Sequence, residues 1–112
     1  MLCRYRHKIH STGHRDRLNR EELVNSDGFG GERYAKEELT AEIGACYLAS
    51  RCGLDLTDNR LLTNSAAYLQ NWLTSLKGDK TLIFRASGQA QKAADYVLKG
   101  VAEEVEQEIV AA

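Results

Sequence analysis

The stretch Tyr34-Ala35-Lys36-Glu37-Glu38-Leu39-Thr40-Ala41-Glu42-Ile43-Gly44-Ala45-Cys46-Tyr47-Leu48-Ala49-Ser50-Arg51-Cys52 decides the fold of this chain. Leu39, Ile43, Tyr47 and Leu48 recur at helical spacing, which predicts a helix from about Tyr34 to Cys52, stopped by Gly53. On that helix Glu38 and Glu42 lie one turn apart, on a face otherwise made of Ala35, Ala45 and Ala49. Small residues around carboxylates let another backbone, or a metal ion, approach closely. One glutamate could then be a metal ligand and the other could orient a ligating histidine. Paired glutamates are also common as plain surface charges, here answering Arg33, Lys36 or a neighbouring helix.

The rest of the chain reads as helix in the same way. Residues 2–12 predict a helix ending at Gly13. Residues 14–33 lose the periodicity and read as a loop, with Asn25-Ser26-Asp27-Gly28-Phe29-Gly30-Gly31 flexible by composition. A turn through Asp55–Asn59 leads to a helix from about Ser65 to Leu76, with Ala66, Leu69, Trp72, Leu73 and Leu76 on its buried side. Asp79 is the expected N-cap of a further helix reaching Lys99. Gly100 marks a break or bend before a C-terminal helix over 101–112, where Val101, Val105 and Ile109 recur four apart. The absence of proline permits long helices, and no strand is predicted. The fold expected is mainly α: a single helical domain over residues 1–112, with four to five helices.

Composition sets limits on partners and location. A length of 112 residues suits one domain, and 43% hydrophobic with 28% charged residues suits a packed core. A formal net charge of −1 predicts no bulk attraction to nucleic acid or anionic membranes. The charges are unevenly placed. Arg4, Arg6, Lys8, Arg15, Arg17 and Arg20 stand against Asp16 alone at the start, whereas Glu103, Glu104, Glu106 and Glu108 crowd the end. The basic segment, with Tyr5 among its charges, is a candidate nucleic-acid surface or simply a solvated face. Cys3, Cys46 and Cys52 cannot all pair and lack metal spacing, so they read as reduced thiols in the cytoplasm. No apolar run approaches the roughly 20 residues of a membrane span, and the basic start lacks a signal peptide's apolar segment.

Histidines supply the remaining chemistry. His7, His10 and His14 would share one side of a continuous helix, and His10 and His14 have the spacing that lets two imidazoles share an ion. Gly13 between them weakens that continuity. Solvent-facing or capping histidines would give the same pattern.

Four strings in one order carry a resemblance: His10-Ser11-Thr12-Gly13-His14-Arg15-Asp16-Arg17-Leu18-Asn19-Arg20, Tyr34 to Ala45, Ala66-Ala67-Tyr68-Leu69-Gln70-Asn71-Trp72-Leu73, and Gln91-Lys92-Ala93-Ala94-Asp95-Tyr96. Over about Ile9 to Lys99 the chain resembles the C-terminal, zincin-like metallopeptidase domain of the ArdC/TraC-type antirestriction proteins of plasmids and phages. Those proteins also carry an N-terminal domain that binds single-stranded DNA. The resemblance implies an active helix reading HExxH followed by TGH. Aligned on Thr12-Gly13-His14, it places His10 at the second zinc histidine, Arg6 at the first, and His7 at the catalytic glutamate. A second register matches His7 to the first histidine and Lys8 to the glutamate. Either way the glutamate is missing. By resemblance Glu38 would be the third zinc ligand with Glu42 orienting the site, or the two could exchange roles, and His14 is a further possible ligand.

In such sites zinc acidifies a bound water and the glutamate takes its proton, so losing the base costs about 10²–10⁴-fold in rate. The sequence therefore predicts a catalytically inactive fragment of a zincin-like domain, without its N-terminal strands and degenerate at Arg6 and His7. Zinc is implied by the resemblance, and the lost ligands predict its absence. The abrupt loss of agreement before His10 predicts a truncated or frameshifted remnant translated from an internal start. Its residual role would be interaction or self-association, as a homodimer using the Val101–Val105–Ile109 stripe. Two alternatives stand beside it: a metal-binding or active zinc peptidase through His10, His14, Glu38 and Glu42, and a nucleic-acid-binding module through the six basic residues named above.

Overall fold

A computed structural model describes residues 3–25, 31–54 and 58–111. Among these are five helices and no strand: α1 (Cys3–Thr12), α2 (Glu21–Val24), α3 (Glu32–Arg51), α4 (Asn59–Ser75) and α5 (Thr81–Ala111). Residues 26–30 and 55–57 lie outside the described residues, and with them most of the loop Asn25–Gly31 and of the turn Asp55–Asn59 expected from sequence.

The quoted stretch forms the central element. α3 buries Ala35, Leu39, Ala41, Ile43, Gly44, Ala45, Leu48 and Ala49, so its apolar and small residues reach around most of the helix. All four other helices pack on it. Its neighbours need that smallness. A Cβ on Gly44 would stand 3.0 Å from both Cγ atoms of Ile9, a residue of α1 with no exposed surface. α5 presents Ala86, Ala90, Ala93 and Ala94 to α3, bringing two helix backbones close. α4 is held at the other end, where Trp72 meets Tyr34 edge-to-face with ring centroids 5.4 Å apart.

Three expectations are corrected. Residues 14–33 are not merely loop, because α2 forms inside them and Arg20 and Glu22 are buried. Four residues are too few for a periodic signal. What holds them is long-range: Arg85 donates to Glu22 at 2.8 Å and Gln89 to the other oxygen at 3.4 Å. α4 begins six residues before the expected Ser65, because Asp58 caps it by accepting the Arg60 backbone N–H at 2.9 Å. Finally, Gly100 breaks nothing. α5 runs unbroken for 31 residues, so 101–112 is not a separate helix through Ala111. Asp79 does cap its start, accepting the Thr81 backbone N–H at 3.0 Å.

The shape follows from α5. A 31-residue helix is about 46 Å long at 1.5 Å per residue. The other helices do not cover all of it, and 99–111 are exposed throughout. The radius of gyration is accordingly 14.9 Å, against about 13 Å for a compact chain of this length.

Candidate functional site: a charge-paired seam between α1 and α3

α1 and α3 lie antiparallel, so residues spaced i, i+4 on one meet residues spaced i, i+4 on the other. Arg6 faces Glu42, and His10 faces Glu38 and Glu37. The Arg6 guanidinium donates from Nη1 to Glu42 Oε2 at 2.7 Å. Its Cζ lies over the Tyr68 ring of α4, 4.3 Å from the centroid. Glu42 is 1% exposed and Arg6 19%, so this pair is shielded from water on the carboxylate side. Burial pulls the Arg6 pKa down, but the hydrogen bond and charge of Glu42 raise it above the ordinary arginine value.

One turn away, His10 sits between two carboxylates. Its Nδ1 lies 2.8 Å from Glu37 Oε2 and its Nε2 lies 3.2 Å from Glu38 Oε1. Burial alone would lower its pKa, yet Glu37 and Glu38 together push it up to about 9. At neutral pH the ring is therefore an imidazolium that donates from both nitrogens. Glu38 also takes a hydrogen bond from the Tyr34 side chain, whose own pKa is raised by burial and by that carboxylate.

Glu37 is the residue sequence reasoning missed. It is 3% exposed and receives the Arg20 guanidinium in a two-pronged contact, Nε at 2.7 Å and Nη2 at 2.8 Å. Burial would raise its pKa, but Arg20 and His10 hold it below the usual carboxylate value. Arg20 reaches further, donating to Thr12 Oγ1 and to the Ile9 carbonyl, each at 2.9 Å. Its approach requires Gly13, since a Cβ there would stand 2.7 Å from Arg20 Nη2. The signal was present in the sequence. Glu37 lies on the same helical stripe as Ala41, Gly44 and Leu48, and that stripe is buried.

The other expected site residues lie apart from this seam. His7, Arg4 and Lys8 are on the exposed side of α1. His14 stands beyond the end of α1, 58% exposed, with its Nδ1 accepting the Asp16 backbone N–H at 3.2 Å. Arg15 and Arg17 are exposed as well, Arg17 donating to the Ser11 carbonyl. Of the six basic residues proposed for nucleic acid, Arg6 and Arg20 are thus engaged by glutamates. Cys3, Cys46 and Cys52 are free thiols.

The zinc implied by the sequence resemblance can be tested on this arrangement. Zinc needs lone pairs from three or four ligands. Among the described residues no group of three or more His, Cys, Asp or Glu is gathered to hold a metal ion. Both His10 nitrogens face carboxylates, and a guanidinium, which offers no lone pair, stands on Glu42. As arranged, these side chains do not fit a divalent ion. A hollow of about 240 Å³ beside them, lined by His10, Glu22, Leu23, Tyr34, Glu37 and Glu38, is open to solvent.

Comparison with known proteins bears on the same residues. The profile of the zincin-like metallopeptidase family matches residues 3–89, a span that includes α1 to α4 and the start of α5. Two Escherichia coli proteins named DNA primase TraC are 42% and 39% identical to the chain over 89 residues, 80% of its length. An uncharacterized protein of Sinorhizobium fredii, y4eC, is 32% identical over 88 residues, 79% of the chain. The chain spans only 8% and 6% of the two TraC proteins and 27% of the third. No solved structure matches it. With the profile extending over three quarters of its residues and including the whole α1–α3 seam, the chain belongs to the zincin-like metallopeptidase family.

Proposed function

We propose that this chain is a non-hydrolytic zincin-like domain whose metal-site residues hold the fold together and whose remaining role is self-association. The observation that carries the first half is the Arg6–Glu42 contact at 2.7 Å, with both His10 nitrogens taken up by Glu37 and Glu38. Hydrolysis at zinc needs vacant lone pairs for the metal and a carboxylate beside the bound water. Aligned on Thr12-Gly13-His14, the positions of the family's first histidine and general base fall on Arg6 and His7, and in the other register on His7 and Lys8. In neither register does a carboxylate stand in the place of the base.

Support for the second half comes from α5. Val101, Val105 and Ile109 are 52%, 48% and 70% exposed and continue the stripe by which Ala90, Ala94 and Leu98 face the core. A second copy laid along this stripe would cover it, making a homodimer.

The decisive measurement on the catalytic half is metal content by mass spectrometry of protein purified without chelators, together with a peptide-cleavage assay in added zinc. The expected outcome is far less than one ion per chain and no chelator-sensitive cleavage. One tightly held ion per chain with turnover that a chelator abolishes would overturn the reading.

A further inference from the structure

The α1–α3 seam sets acidic side chains against basic ones. Three carboxylates, Glu37, Glu38 and Glu42, face Arg6, Arg20 and His10. Glu42 depends most on a single partner. It is 1% exposed, its Oε1 has no hydrogen-bond partner, and Arg6 is its one ion-pair partner, among the described residues. Glu37, in contrast, has both Arg20 and His10. A buried carboxylate left alone is costly, because the low-dielectric interior offers neither solvent nor countercharge. Arg6 is held in place from both sides, by Glu42 on α3 and by the Tyr68 ring on α4. It therefore ties three helices at one point.

We infer that Arg6 is the resident cation of this domain: its guanidinium neutralises Glu42 and clamps α1 and α4 onto α3, so that the fold stands without a divalent metal and a single substitution at Arg6 decides whether a metal can serve instead. The inference rests on the non-hydrolytic reading and deepens it, since it says what took over the ion's place. Arg6 and His10 are i, i+4 on α1, opposite Glu42 and Glu38 at the same spacing on α3, so an imidazole replacing the guanidinium would face Glu42, one turn from His10 and Glu38.

The test is thermal unfolding of the whole chain, in excess EDTA and in excess zinc, for four proteins: wild type, Arg6→Met, Arg6→Met with Glu42→Leu, and Arg6→His. Wild type is expected to melt at the same temperature in both solutions. Arg6→Met is expected to melt roughly 10 °C or more lower, or to fail to fold, because it leaves Glu42 buried and uncompensated. The double variant is expected to regain most of that loss, since it removes the orphaned charge along with its partner. Arg6→His is expected to melt low in EDTA and higher in zinc. A wild-type melting point that falls in EDTA would overturn the non-hydrolytic reading itself. An EDTA-insensitive wild type with a silent Arg6→Met, or a double variant as unstable as the single, would overturn only the role given to Arg6. An Arg6→His protein indifferent to zinc would remove the claim that this position selects between guanidinium and metal.

Discussion

Two carboxylates flank His10, Glu37 at Nδ1 and Glu38 at Nε2. Burial would lower its pKa, yet these two carboxylates raise it to about 9. Its folded-state pKa lies above the unfolded value of 6.5, so protonation favours the native state. That stabilisation is fully present below about pH 6.5 and is lost as pH rises through about 9. We expect the melting temperature to fall across that window in the wild type and to fall less in His10→Gln. Parallel melting curves against pH for the two proteins would contradict it. Glu37 acts in the other sense. Because Arg20 and His10 depress its pKa, its contribution is present above the unfolded carboxylate value and disappears in acid.

At the scale of the element, α3 and α5 divide the labour. α3 carries the carboxylates and is buried on nearly every side, which is why its glutamates must be paired rather than solvated. α5 buries only alanines along its first half, and its second half has no cover. Gly100 sits in that uncovered part, inside a regular helix, with nothing within 4 Å of where a Cβ would be. Glycine in an exposed helix interior costs about 1 kcal/mol relative to alanine, mostly through the freedom of the unfolded chain. Gly100→Ala is therefore expected to raise helix content and to stabilise by up to about 1 kcal/mol, provided α5 unfolds cooperatively with the body. Circular dichroism through a thermal melt reads both. A loss of helix would show that the glycine is needed for a bend.

At the scale of the whole molecule, the protruding end of α5 sets both shape and behaviour in solution. Its apolar stripe is edged by Glu103, Glu104, Glu106 and Glu108 with no base among them. Pairing two copies would bury valine and isoleucine while bringing like charges together. Salt screens that repulsion, the Debye length falling from about 10 Å at 0.1 M to about 3 Å at 1 M. Self-association is therefore expected to strengthen as ionic strength rises and to be abolished by Val105→Lys with Ile109→Lys. Sedimentation velocity at two salt concentrations reads the outcome. A chain that stays monomeric at high salt and high concentration would remove the dimer. The chain has no helix, among the described residues, that is long and apolar enough to cross a membrane.

The helical class and the central helix were decided by the sequence alone, because a repeat of apolar and small residues every three to four positions is a local property. That no HExxH stands before Thr12-Gly13-His14, where the chain reads Arg6-His7-Lys8-Ile9-His10, was equally a matter of reading the string. Tertiary structure decided how these side chains are partnered. Which carboxylate meets which cation depends on the antiparallel crossing of α1 and α3 and on Arg20 returning over Gly13, contacts between residues 17 to 36 positions apart. No local pattern encodes those. The same reason explains α2, which four residues could not announce and which Arg85, 63 positions away, holds in place. Gly100 is the reverse case: its local weakness predicted a break, and the helix formed on both sides runs through it.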